Sequence, residues 1–112
     1  MYVEANTMTY TFPYKPIRNI CVFGGHIAWK KDIKQYFKNL IIINDEDKKS
    51  NYENIIINSD IIWIEHQAIS HSLFNKVLKI ARKHNKEVHY FNIKGAKTCA
   101  KIIIDFERKQ NI

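Results

Sequence analysis

The sequence predicts an α/β fold: a small Rossmann-like or flavodoxin-like parallel sheet of four core strands, with helices on both faces. Three observations carry that prediction. Short strand-like runs recur along the chain, at Ile20–Phe23, Leu40–Ile43, Ile61–Ile64 and Val88–Phe91. Unbroken apolar runs of this length suit strands buried on both faces. Between them lie segments of helical length that place apolar residues three and four apart. Gly24-Gly25 directly follows the first run, where a strand turning into a helix needs backbone freedom. Strands that alternate with helices pack as a parallel sheet, and for four strands the expected order is 2-1-3-4.

Residues 1–17 predict an extended N-terminal arm ahead of a domain spanning 18–112. Met8, Tyr10 and Phe12 alternate with Thr7, Thr9 and Thr11, and the segment closes with Pro13 and Pro16. A helix is expected over 27–39, where Ile33, Tyr36 and Phe37 are interleaved with Lys30, Lys31, Lys34 and Lys38. Leu40–Ile43 gives the second strand, followed by the polar turn Asn44-Asp45-Glu46-Asp47. Residues 48–58 are ambiguous, although Tyr52, Ile55 and Ile56 suit one face of a short helix. Asp60–Ile64 gives the third strand. Ser70 fits a helix N-cap, since its hydroxyl can accept from a first-turn amide. The helix it opens carries Leu73, Phe74, Val77, Leu78 and Ala81 on one face and Lys76, Lys79, Arg82 and Lys83 on the other, with Asn85 as its stop. After Val88–Phe91, a last helix runs from Ala96 past Gly95 through Ala100, Ile103 and Ile104 to about Lys109.

The chain has 112 residues, 46% hydrophobic and 26% charged, which suits a folded domain and excludes disorder. No apolar run exceeds four residues, so no membrane span is expected. Met1-Tyr2-Val3-Glu4 lacks the basic flank and apolar stretch of a secretory signal. Two cysteines, Cys21 and Cys99, are too few for a disulfide framework or a four-thiolate zinc site. A cytoplasmic location is the expectation. Eighteen basic against 11 acidic residues give a net charge of +7, which admits an anionic partner such as nucleic acid. The lysines are scattered, however, and abundant Ile, Asn and Lys also reflect AT-rich coding.

In such sheets ligands bind beyond the carboxyl ends of the strands, where the strand order reverses. That crevice lies between the first strand, ending in Gly24-Gly25-His26, and the third, ending in Glu65-His66 before Gln67-Ala68-Ile69-Ser70-His71-Ser72. Three of the five histidines thus fall on neighbouring loops. The predicted ligand-binding set is Gly24, Gly25, His26, Ser70 and His71, with His26 and His71 as metal ligands and His66 in reserve. Gly24-Gly25 lacks the Gly-x-Gly-x-x-Gly spacing of a dinucleotide site. His84 ends a helix and His89 lies inside a strand, and both read as structural. Cys21, Cys99 and Trp63 read as core. Asp32, Asp60 and Glu65 form no paired-carboxylate spacing, and no nucleophile-elbow, Cys-x-x-Cys, zincin or Walker sequence is present. Binding is therefore favoured over turnover, without settling whether the protein is an enzyme.

Val22-Phe23-Gly24-Gly25-His26, followed by Ser59-Asp60-Ile61-Ile62, Ser70-His71-Ser72 and Ala81-Arg82-Lys83-His84-Asn85-Lys86-Glu87-Val88, resembles the bacterial family catalogued as domain of unknown function 2325. The likeness covers roughly residues 18–105 and implies a small Rossmann-like domain in bacterial cytoplasm, without implying an activity. His66 and residues 1–17 lie outside the shared pattern. The leading expectation is a ligand-binding or sensor protein in which His26 and His71 hold haem or a transition-metal ion. The alternative is a nucleic-acid-binding or mobile-element accessory protein with a basic surface. A phosphate-handling enzyme ranks third. The aromatic and Thr alternation over residues 7–12 suggests a homodimer contact.

Overall fold

The computed structural model describes residues 10–44, 48–91 and 95–110. Four strands, β1 (Ile20–Gly24), β2 (Ile41–Ile43), β3 (Ile61–Glu65) and β4 (Glu87–Tyr90), alternate with four helices. The helices are α1 (Ile27–Lys34), α2 (Lys49–Ile57), α3 (His71–Lys83) and α4 (Ala96–Gln110). The strands form one all-parallel sheet in the order β2-β1-β3-β4. In its register Val22 lies beside Ile42 on one side and Trp63 on the other, and Trp63 in turn beside His89.

The period-two alternation of strand side chains divides the core into two layers. Ile20, Val22, Ile61 and Trp63 pack with Ile33 of α1 and with Cys99, Ala100, Ile103 and Ile104 of α4. Cys21, Phe23, Ile62 and Ile64 face the other way, onto Tyr52 and Ile56 of α2 and Leu73, Val77, Ile80 and Ala81 of α3. The central strands β1 and β3 are buried along their whole length, which is why they read as unbroken apolar runs.

α1 ends at Lys34, earlier than the expected 39, because the arm takes its backbone groups. The Tyr14 amide donates to the Tyr36 carbonyl at 2.7 Å, and the Lys38 amide to the Tyr14 carbonyl at 2.9 Å. Those two bonds form a bridge between Tyr14 and Phe37 in place of another helical turn. The ambiguous segment 48–58 contains α2, with Tyr52 and Ile56 buried. Asn85, at φ 53°, sits in the left-handed region and terminates α3, and the Lys86 amide then reaches back to the Ala81 carbonyl at 2.8 Å.

The arm is fastened to its own chain. Glu107, buried on α4, accepts from the Tyr14 hydroxyl at 2.7 Å and from the Ile17 and Arg18 amides, each at 3.1 Å. The Tyr10 hydroxyl donates to both Asp105 oxygens at 2.8 and 2.9 Å, and Phe12 meets Tyr36 edge-on at 4.9 Å. The expected dimer segment 7–12 therefore lies partly outside the described residues, at 7–9. Its described side chains, Tyr10 and Phe12, are engaged within the protomer.

Candidate functional site at the carboxyl edge of the sheet

The β1–α1 connection is two residues long, and both ends of it are constrained. Gly24 has φ +81° and Gly25 φ +89°. A Cβ at Gly24 would collide with the Glu65 carbonyl oxygen, and one at Gly25 with the Trp29 ring. The Gly25 amide donates to the Ala68 carbonyl at 2.9 Å, which stitches this turn to the β3–α3 loop. His26 occupies the N-cap position of α1 with its imidazole exposed and making no cap bond. Ser70 caps α3 as expected, its hydroxyl accepting from the Leu73 amide at 3.1 Å.

Two hollows open along this edge. The first, about 400 Å³, is lined by His66, Ile69, His71, Phe74 and Tyr90. Its walls are aromatic: Tyr90, 43% exposed, lies 6.0 Å from the His66 ring and 6.2 Å from Phe74 between centroids. The second, about 340 Å³, lies over the point where the strand order reverses and includes Gly25, His26, Lys30, Ile69 and Ser70. Ile69 is common to both. The structure thus pairs His71 with His66 and sets His26 in the adjoining hollow across Ile69. Gly24 is in the lining of neither hollow, and the Ser70 hydroxyl accepts the cap bond from the Leu73 amide.

Among the described residues, no group of three or more His, Cys, Asp and Glu is arranged to hold a metal ion. The other candidates are structural. His89 stacks on Trp63 at 4.9 Å, meets Phe106 at 4.4 Å and pairs with Glu87 at 2.7 Å. That hydrogen bond, aided by the Arg18 charge, holds the Glu87 carboxyl below its ordinary range against the effect of burial. Burial pushes the Cys21 thiol far up, and raises Cys99 to about 11 with help from the Glu65 charge, opposed by Trp29. Glu65 is itself buried, accepting from the Gln67 amide at 2.6 Å. Neither thiol is a nucleophile at neutral pH.

No family model, curated protein or solved structure matches this chain.

Three wall residues, Ile69, Phe74 and Tyr90, lie outside the set that the sequence predicts. By sequence pattern Phe74 belongs to the apolar face of its helix and Tyr90 to the fourth strand. The available signal was position: Tyr90 is the last residue of β4, so it shares the carboxyl edge with His66.

Proposed function

We propose that the protein binds haem at the carboxyl edge of the sheet, where the His71 or His66 imidazole would hold the iron and Ile69, Phe74 and Tyr90 would line the ring's seat. The observation that carries this reading is the aromatic hollow of about 400 Å³ flanked by two histidines. A closed site for a bare ion needs about four protein ligands, which the described residues do not assemble here. A porphyrin brings four nitrogens of its own, so one or two imidazoles suffice. When bound, haem would supply redox or gas-binding chemistry, and the protein's part is to hold and orient it.

The nucleic-acid reading is less favoured because the two lysine rows are separated. Lys30, Lys31 and Lys34 ride on α1 and Lys76, Lys79 and Lys83 on α3, helices that cover opposite faces of the sheet. A reducing cytoplasm fits two buried thiols on opposite faces, out of bonding reach of each other. No helix is long and apolar enough to cross a membrane among the described residues. A homodimer would use the open edge of β2, where Ile41 is 40% exposed. Light scattering that returns the 13.3 kDa of one chain refutes it.

Titration of purified protein with haemin, followed at the Soret band, tests the main reading. The expected result is a shifted band saturating at one haemin per chain, lost in the His66→Ala/His71→Ala double variant while circular dichroism is unchanged. Unchanged uptake by the folded double variant overturns it.

A further inference from the structure

We propose that the hollow beside His26 is an anion pocket for the carboxylate side groups of the same ligand, which makes the site selective for a flat ring bearing carboxylates over a neutral flat ring. The inference rests on the haem reading and reassigns His26 from iron ligand to carboxylate anchor. Its basis is the continuity of the edge. A ring seated against Phe74 and Tyr90 and lying over Ile69 has its far side in the hollow lined by His26, Lys30 and Ser70. The two hollows differ in chemistry: Phe74 and Tyr90 supply ring surface in the first, whereas the second sets the cation Lys30 and the His26 imidazole among Ile27, Ala68 and Ile69.

Lys30 is the charged member of that second hollow. It is half-buried, and its ammonium donates to the Asn44 amide oxygen at 3.3 Å, a neutral partner. Among the described residues no carboxylate lies within ion-pair distance of it. A part-buried ammonium gains more from an incoming carboxylate than a solvated surface lysine does. Lys30 also lines a neighbouring depression together with Lys31, Lys34 and Asn44, so two further lysines stand beside it. Glu65, the acid at this end of β3, is buried and engaged by the Gln67 amide, and its charge is felt on the Cys99 side. His26 projects into the pocket from an N-cap position where its ring has no cap bond, free to donate to an oxygen.

The test compares haemin with haemin dimethyl ester, in which both propionates are masked, by Soret titration in one detergent-containing buffer. The expected result is about tenfold tighter binding of the free acid by the wild-type chain, the effect of one or two charge-assisted hydrogen bonds. Lys30→Met and His26→Ala should each erase most of that preference and leave diester affinity unchanged, and Lys30→Arg should restore it. Equal affinity for acid and diester, or a preference that survives Lys30→Met with His26→Ala, overturns the anion pocket while leaving haem binding in place. Uptake of neither porphyrin by the wild-type chain overturns the haem reading and this inference together. Loss of diester binding in His26→Ala would show instead that His26 holds the ring or its iron, which also refutes the assignment.

Discussion

Replacing Glu107 by Leu should detach the arm from α4, and the cost can be worked from three hydrogen bonds. The carboxylate is 3% exposed and receives the Tyr14 hydroxyl and the Ile17 and Arg18 amides. Hydrogen bonds to a charged group contribute roughly 1.5–3 kcal/mol each, so the simple sum is large. Two effects reduce it. Leucine removes the desolvation cost of the buried acid, and the freed amides lie near one end of the domain, where the segment can swing into water. A net loss of about 2–4 kcal/mol is expected, or roughly 8–16 °C in melting temperature for a domain of this size. Glu107→Gln keeps one acceptor oxygen and should cost about half as much. Urea denaturation gives the stability change, and amide exchange at Ile17 and Arg18 reports the arm itself. A Glu107→Leu variant that loses under about 1 kcal/mol and keeps both amides protected would refute the latch.

Other perturbations separate turn, cap and charge. Gly25→Ala forces a methyl toward the Trp29 ring at φ +89°, and should cost about 1–3 kcal/mol in thermal denaturation. Ser70→Ala removes the acceptor for the Leu73 amide and should cost about 1 kcal/mol by the same measurement. Burial, then the Glu107 hydrogen bond, push the Tyr14 phenol from 10.0 up to about 12. The unfolded phenol therefore ionises first, so this contribution to stability is complete below pH 10 and falls as pH rises through 12; Tyr14→Phe should flatten part of that fall. Glu87, held below its ordinary 4.5 by His89, contributes above pH 4.5 and is lost as pH drops through its folded value, an acid sensitivity that Glu87→Gln should reduce.

The strands and their order were legible because β1 and β3 are buried on both faces, which writes continuous apolar runs at Ile20–Phe23 and Ile61–Ile64. The end of α1 was not, since Tyr36 and Phe37 keep helical spacing in sequence while their backbone is claimed by Tyr14, a partner more than twenty residues upstream. Residues 55–57, three consecutive isoleucines, carry no period that distinguishes strand from helix; burial of Tyr52 and Ile56 from one side of α2 resolves it. His26, His66 and His71 could be placed at the carboxyl edge from strand ends alone. Which of them share a hollow depends on the path of residues 66–70, a matter of loop geometry that no periodicity encodes.

That path is set by the same two glycines that make the β1–α1 turn. Gly24 lets the backbone of β1 pass directly against the Glu65 carbonyl, and the Gly25 amide then catches the Ala68 carbonyl at 2.9 Å. The β3–α3 loop is thereby drawn over the end of β1, and Ile69 comes to rest between His26 and the His66–His71 pair. A side chain at Gly24 has the backbone of Glu65, the last residue of β3, in its way, so relief must come from moving the end of β3 and with it the start of the loop. Gly24→Ala should therefore lower haemin affinity even where the domain remains folded, because His66, Ile69 and Ser70 shift as a unit relative to His26 and Lys30. A folded Gly24→Ala variant that binds haemin like the wild type would show that the loop path is fixed elsewhere. The Gly-Gly-His run is thus a geometric device first: its two glycines set the turn and the loop path, and His26 lines the hollow that results.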